Sequence, residues 1–309
     1  MLKIIKFLIF YFLFFSFMFF KANAKLYKIG ENLEGKIKFS KKIQIPLSEG
    51  TWQVISRYQE SYFWLHFKGV TIVKTKNDEV LEMISVERAN LSGKEMGAID
   101  NIVNTVMFKN PYDGCYERPE YFLVNYYKKG STHNCLVLRH LQTKKELYNP
   151  DDPESSFPLI KKWIDQNSIK IPEIALHSFH SYFSRLNAGQ WYVIKYVANP
   201  KIFNSPQLDY LTEETSEFHK SNIHRFPEHK KIMDKWASVS SLRHQYLEKL
   251  FNAKDRHLLN LDKLIQKNFS NNNIEDKDLI NQIKKLEELF KSGALTGDEF
   301  KKAKEKILN

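Results

Sequence analysis

The 309-residue sequence predicts an α+β fold: a β-rich mixed N-terminal domain, followed by a long helical region and a C-terminal αα-hairpin. Three observations predict it. Short β-branched and aromatic runs bounded by turn residues recur between positions 35 and 198. Residues 228–269 contain neither Pro nor Gly and return an apolar side chain every three or four positions. Residues 279–309 carry two short amphipathic stretches around Gly293 and Thr296. At roughly 100–200 residues per domain, the length suits two domains. With 14% aromatic residues and 2 Cys, the composition excludes collagen-like, globally disordered and disulfide-scaffold classes.

The first element is an address. Lys3 and Lys6 precede an apolar run, Phe7 to Phe20, interrupted only by Ser16. Ala22 and Ala24 then place small residues at the −3 and −1 positions of a cut before Lys25. A charged start, a short apolar core and an A-x-A site read as a secretory signal peptide over 1–24. The run is shorter than the ~20 residues a spanning helix needs, which leaves an uncleaved N-terminal membrane anchor as the alternative. Either way the remainder is exported, with the periplasm as the expected compartment. The segment holds eight of the 23 Phe and three of the 47 basic residues, so the mature chain is less aromatic and less basic than the whole.

An α+β domain is expected over 25–227. Ile37, Ile43 and Ile45 punctuate short strands; Thr51–Tyr58, Tyr62–Phe67, Val70–Thr75 and Val80–Val86 follow, with Lys76-Asn77-Asp78 as a hairpin turn. Val70 and Ile72 alternate with Thr71 and Val73, as the two faces of a strand do. Ile99, Ile102, Val103 and Val106 suit a short helix over 97–108. Tyr121–Tyr127 and Cys135–Leu141 flank Lys129-Gly130-Ser131, a second hairpin. Phe157–Asp165 reads as a helix and Gln190–Ala198 as a strand. Leu176–Leu186 fits either a helix begun after Pro172 or a strand. Pro200–Pro227 is polar and irregular. Residues 228–273 form the long amphipathic helix, whole or in two pieces, and its linker.

Cys115 and Cys135 are the two thiols. An even pair in an exported chain predicts a disulfide, and closing that loop stabilises by about 3 kcal/mol through the unfolded state. The alternative is a nucleophilic thiolate paired with His133 or His140.

Chemistry-bearing motifs are sparse. No nucleophile elbow, phosphate loop, HExxH, EF-hand loop or CxxC occurs. His177 and His180 share a face only if their segment is helical. His219, His224 and His229 recur every five residues, and neither spacing matches a zinc template. Asp151-Asp152 and Glu213-Glu214 read as solvated loop acids rather than a general acid–base pair. Tyr62-Phe63-Trp64 and Trp191-Tyr192 read as core, with a sugar or peptide platform as the alternative. No catalytic, cofactor or metal residue is therefore assigned. The +11 charge is dispersed in pairs and mixed with acids, so export and dispersion argue against nucleic acid; a weak contact with an anionic envelope surface is the electrostatic partner it suits.

The end of the chain, 274–309, is the most specific segment. Leu279, Ile280, Ile283, Leu286, Leu289 and Phe290 make one apolar stripe, and Lys291-Ser292-Gly293 closes it with a residue suited to a left-handed C-cap. After Ala294-Leu295, Thr296-x-x-Glu299 is a capping box that opens a second helix with Phe300, Ala303 and Ile307 on one face. These residues, with Leu295, Lys304 and Leu308, resemble the SHOCT family, the short C-terminal domain. Gly297 departs from the commoner acidic residue there, and Ala294 is smaller than the usual Ile. The resemblance implies an oligomerisation or protein-interaction role without catalytic residues. A hairpin this small cannot bury enough apolar area alone, so its stripe must pack on the chain, a second copy or a partner. The sequence thus predicts an exported, non-enzymatic bacterial envelope protein whose partner is a protein, itself or another. An extracytoplasmic enzyme or ligand-binding protein, with the hairpin as an accessory, is the alternative.

Overall fold

A computed structural model describes residues 27–39, 44–62, 65–90, 115–129, 132–147, 156–184, 190–206, 208, 212–252 and 299. The chain divides into two units, Met1–Lys254 and Asp255–Asn309, and the architecture below belongs to the first.

An open eight-stranded antiparallel sheet dominates it. The strands are β1 (Asn32–Leu33), β4 (Trp52–Tyr62), β5 (Leu65–Lys76), β6 (Glu79–Asn90), β7 (Tyr121–Lys129), β8 (Thr132–Gln142), β9 (Ile174–Ser184) and β10 (Gln190–Ala198). Their order is β1-β4-β5-β6-β10-β9-β8-β7. Two meanders, β4–β6 and β7–β10, therefore meet where β10 pairs with β6. A separate ribbon joins β2 (Lys36–Lys38) to β3 (Gln44–Pro46). Helices α1 (Thr143–Leu147) and α2 (Ser156–Asn167) lie between β8 and β9, and α3 (Pro227–Asn252) follows β10 through two 3₁₀ turns, Pro200–Phe203 and Ile223–Arg225.

The residues explain the elements. Asn77 and Asp78 sit at φ 53° and 57°, the two left-handed positions of a type I′ turn, so β5 and β6 join in two residues. Beyond the turn, Ile72 faces Ile84 and Val70 faces Val86 across the ladder. The ambiguous stretch after Pro172 is the strand β9. It is flanked by partners on both sides and buried on both faces, so Phe, Ser and Tyr fit the pleat and the helical spacing of Phe179 and Phe183 is incidental.

The register sorts side chains onto two faces. On one, Trp52, Val54, Ile72, Val86, Ile194 and Leu138 are buried, and α3 crosses β8 and β9. Phe251 of α3 stacks on Tyr182 and Tyr192, with ring centroids 4.9 and 4.6 Å apart. On the other face, α2 seats Ile160 and Ile164 against Ile55 and Val73. Further along that face, Cys115, Tyr121, Cys135, Val137 and Phe183 form a second cluster, bordered by the Phe67–Trp191 edge contact at 5.0 Å.

This corrects the expected α+β arrangement of a mixed domain with a trailing helical region. The described chain is mostly one large antiparallel sheet with three helices. The long helical region is not seen as a separate part: α3 ends at Asn252 and belongs to the sheet's own cover. The reason is area. A sheet of long, doubly buried strands needs an apolar layer on each face, and the Trp236, Tyr246 and Leu250 side of α3 supplies part of one. The αα-hairpin is likewise not seen; its residues, apart from Glu299, lie outside the described ones, as do the 97–108 stretch and the leader.

Candidate functional site

The densest polar arrangement lies between the sheet and α3. Strand alternation puts Ser178 and His180 on the α3 side of β9, and the β8 register brings Asn134 beside them, opposite Tyr182. From above, α3 lowers His244. The Nδ1 atoms of His180 and His244 are 3.1 Å apart, with ring centroids 5.3 Å apart. His180 Nε2 lies 3.0 Å from Ser178 Oγ, and His244 Nε2 meets Asn134 Oδ1. Donor logic orders this chain. A carbonyl oxygen accepts only, so His244 Nε2 donates to Asn134. The neutral His244 then accepts at Nδ1 from His180 Nδ1–H, and His180 Nε2 accepts from the Ser178 hydroxyl. Four side chains form one relay of neutral hydrogen bonds.

The surroundings keep it neutral. Burial, then the neighbouring His244 and Arg243 and, further off, His177, hold His180 well below the usual imidazole range. Burial pushes His244 down to about 4. Arg243 lies over the Tyr196 ring at 4.5 Å and over Trp236 at 5.4 Å. Burial raises the Tyr196 hydroxyl to about 12. Trp236 Nε1, Ser240 Oγ and Arg243 Nη1, spaced along one side of α3, are buried without an acceptor among the described residues. Ser178 is fully buried, and the notch beside the relay, lined by Asn134, His180, His244, Leu247, Glu248 and Phe251, has essentially no room for a water molecule. The arrangement can pass or hold a proton.

A second polar cluster sits where the 212–226 loop crosses β8. His140 Nε2 donates to the Glu213 carbonyl at 3.0 Å, and the His219 ring meets His140 edge-on at 5.8 Å. Burial pushes His140 down to about 4 and lifts the Glu213 carboxyl above its ordinary range, against the pull of Arg139. Arg139 itself is held by both Glu146 oxygens at 3.2 and 3.3 Å.

The structure joins Cys115 to Cys135 in a disulfide with Cα atoms 6.0 Å apart, within the normal span. That bond removes the thiolate alternative with His133 or His140. Because β9 is a strand, His177 and His180 point to opposite faces. His140 and His219 come together, whereas His224 stands apart in the second 3₁₀ turn and His229 packs on Phe218 at 4.9 Å. Among the described residues no group of three or more His, Cys, Asp or Glu is placed to hold a metal. Glu213 is buried and its neighbour Glu214 exposed, and Trp191 and Tyr192 belong to the core on opposite faces. Asp151-Asp152 and the cleavage residues Ala22, Ala24 and Lys25 lie outside the described residues. So do Ile283, Leu286, Leu289, Phe290, Gly293, Leu295, Thr296, Phe300, Ile307 and Leu308; Glu299 alone is described, helical and exposed.

Fold and seam together define an antiparallel-sheet protein with a helix latched across one face through histidine. The chain matches no protein-family model, no curated protein and no solved structure. Sequence reading missed His244, Asn134 and Ser178. One signal was present: His244 falls eight residues after Trp236 and four after Ser240, on the inward side of a helix otherwise lined with apolar residues.

Proposed function

We propose that the chain is an exported, non-enzymatic envelope protein that works by binding protein through residues 274–309. The observation that carries this reading is the Cys115–Cys135 bond, which belongs to an oxidising compartment. No helix among the described residues is long and apolar enough to cross a membrane. The leader ending at Ala22-Asn23-Ala24 supports the periplasm as that compartment. The stripe of Ile283, Leu286 and Leu289 and the turn Gly293-Ala294-Leu295-Thr296 support a SHOCT-like hairpin that self-associates or holds a partner.

Light scattering tests it. The mature chain is expected to show a mass that rises with concentration, and deletion of residues 274–309 is expected to leave a monomer at every concentration. An unchanged mass before and after the deletion overturns self-association as the role. Free thiols at Cys115 and Cys135 in protein recovered from the cell would overturn export.

A further inference from the structure

Helix α3 is held at two kinds of footing. Its apolar anchors, Phe251 above all, give non-directional attraction to Tyr182 and Tyr192. Among its polar contacts with the sheet is that between His244 and His180, which is free of buried charge only while both rings are neutral. We propose that the His180–His244 couple is a proton-operated latch: with both rings neutral it seats the second half of α3 on β8 and β9, and an added proton releases that half.

The argument is a count of hydrogens. The two Nδ1 atoms, 3.1 Å apart, share one proton. The outer nitrogens are engaged by Ser178 Oγ and Asn134 Oδ1. One extra proton is accommodated only by turning the Ser178 hydroxyl from donor to acceptor, and it leaves a buried imidazolium. A second leaves two N–H groups pointed at each other, which no rearrangement of the four side chains resolves. The neighbours do not compensate the charge. From α3 the couple meets Arg243, and from β10 the neutral Tyr196. On β6, Arg88 lies over the Tyr192 ring at 5.7 Å. His177 adds to the same sign from the far side of β9. On its α3 side β8 offers Asn134, which carries no charge. Glu248, at the rim, is the single carboxylate lining the notch. A cationic couple is thus placed against the Arg243 guanidinium, and the least costly relief is for the last turns of α3 to leave the sheet.

The direction of the pH dependence follows. The folded state keeps His244 neutral down to about 4, whereas an unfolded or released imidazole takes its proton near 6.5. The latch is therefore fully closed above pH 6.5 and weakens as pH falls toward 4. At pH 5 that difference corresponds to about a thirtyfold loss of closure from His244 alone.

Hydrogen exchange on the full mature chain at pH 7.5 and pH 5, corrected for the intrinsic exchange rate, reads it directly. Amides of 240–252 are expected to lose about thirtyfold protection at pH 5 while β4–β6 keep theirs. His244→Gln, which keeps a hydrogen-bonding side chain without a titratable ring, is expected to remove the His244 share of the pH difference, whatever its protection at pH 7.5. Asn134→Asp, which gives a protonated His244 a carboxylate partner in the closed state, is expected to shrink the pH difference, because it brings the closed-state pKa toward that of the released ring. Loss of protection in α3 and β4–β6 together, or the same loss in His244→Gln, overturns the latch and leaves general acid unfolding.

Discussion

Asn199 shows how much a single side chain can tie together here. It follows β10, and its Oδ1 accepts from Lys201 N at 3.0 Å to cap the first 3₁₀ turn. Its amide donates to the Val80 carbonyl at 3.0 Å and to Glu79 at 3.1 Å, pinning the end of β10 to the start of β6. Truncation leaves a buried carbonyl unmet as well as a cap lost, so Asn199→Ala is expected to cost about 2 kcal/mol in urea unfolding. Asn199→Asp, which keeps the cap but sets a buried carboxylate against Glu79 and the Val80 carbonyl, is expected to cost at least as much. Residues of this kind are hard to read in advance. Asn199 precedes Pro200 in a stretch that reads only as loop, and its importance comes from Glu79 and Val80, some 120 positions earlier. His244 is the same case: its partners are contributed by β8 and β9.

Elements were more legible than their partners. Turn chemistry at Lys76-Asn77-Asp78 and the β-branched runs around it give β5 and β6 directly, because a two-residue turn and its strands are local. Gln190–Ala198 is legible for the same reason, as a run of Trp, Val, Ile and Tyr. Leu176–Leu186 reads equally as helix or strand, since the deciding term is pairing with β8 and β10, which lies outside the segment. Tyr62 to Phe67, taken as one strand, falls across the end of β4 and the beginning of β5. The β5–β6 turn carries its own test. Asp78 holds φ 57°, where a Cβ is strained, and its neighbour Asn77 already suits the first position. Asp78→Gly is expected to stabilise by about 0.5–1 kcal/mol, seen as a higher urea midpoint with an unchanged slope. The Asp78 carbonyl keeps its bond to Lys170 N in that variant, because the bond is to the backbone.

At the scale of the molecule, the sequence suggested a domain with helices trailing behind it, and the structure places the described helices on the sheet. Amphipathicity alone does not say which surface a helix will cover; the width of the sheet does, and that width emerges only from long-range pairing. The disulfide acts at this scale too. It fastens the approach to β7 onto β8, beside Tyr121 and Phe183. Reduction is expected to lower stability by about 3 kcal/mol, measured as a drop in the thermal midpoint that reoxidation restores. The seam between the two meanders has a temporal meaning as well. Residues 82–90 of β6 wait for residues 190–198 of β10, the last strand among the described residues. A chain exported from its N-terminus onward presents β4–β6 with a long bare hydrogen-bonding margin until about a hundred further residues have crossed. Such a margin invites pairing with other chains. Emergence of the chain and sheet closure are therefore coupled in time: the partly emerged sheet needs a shield, and β10 is what ends that need.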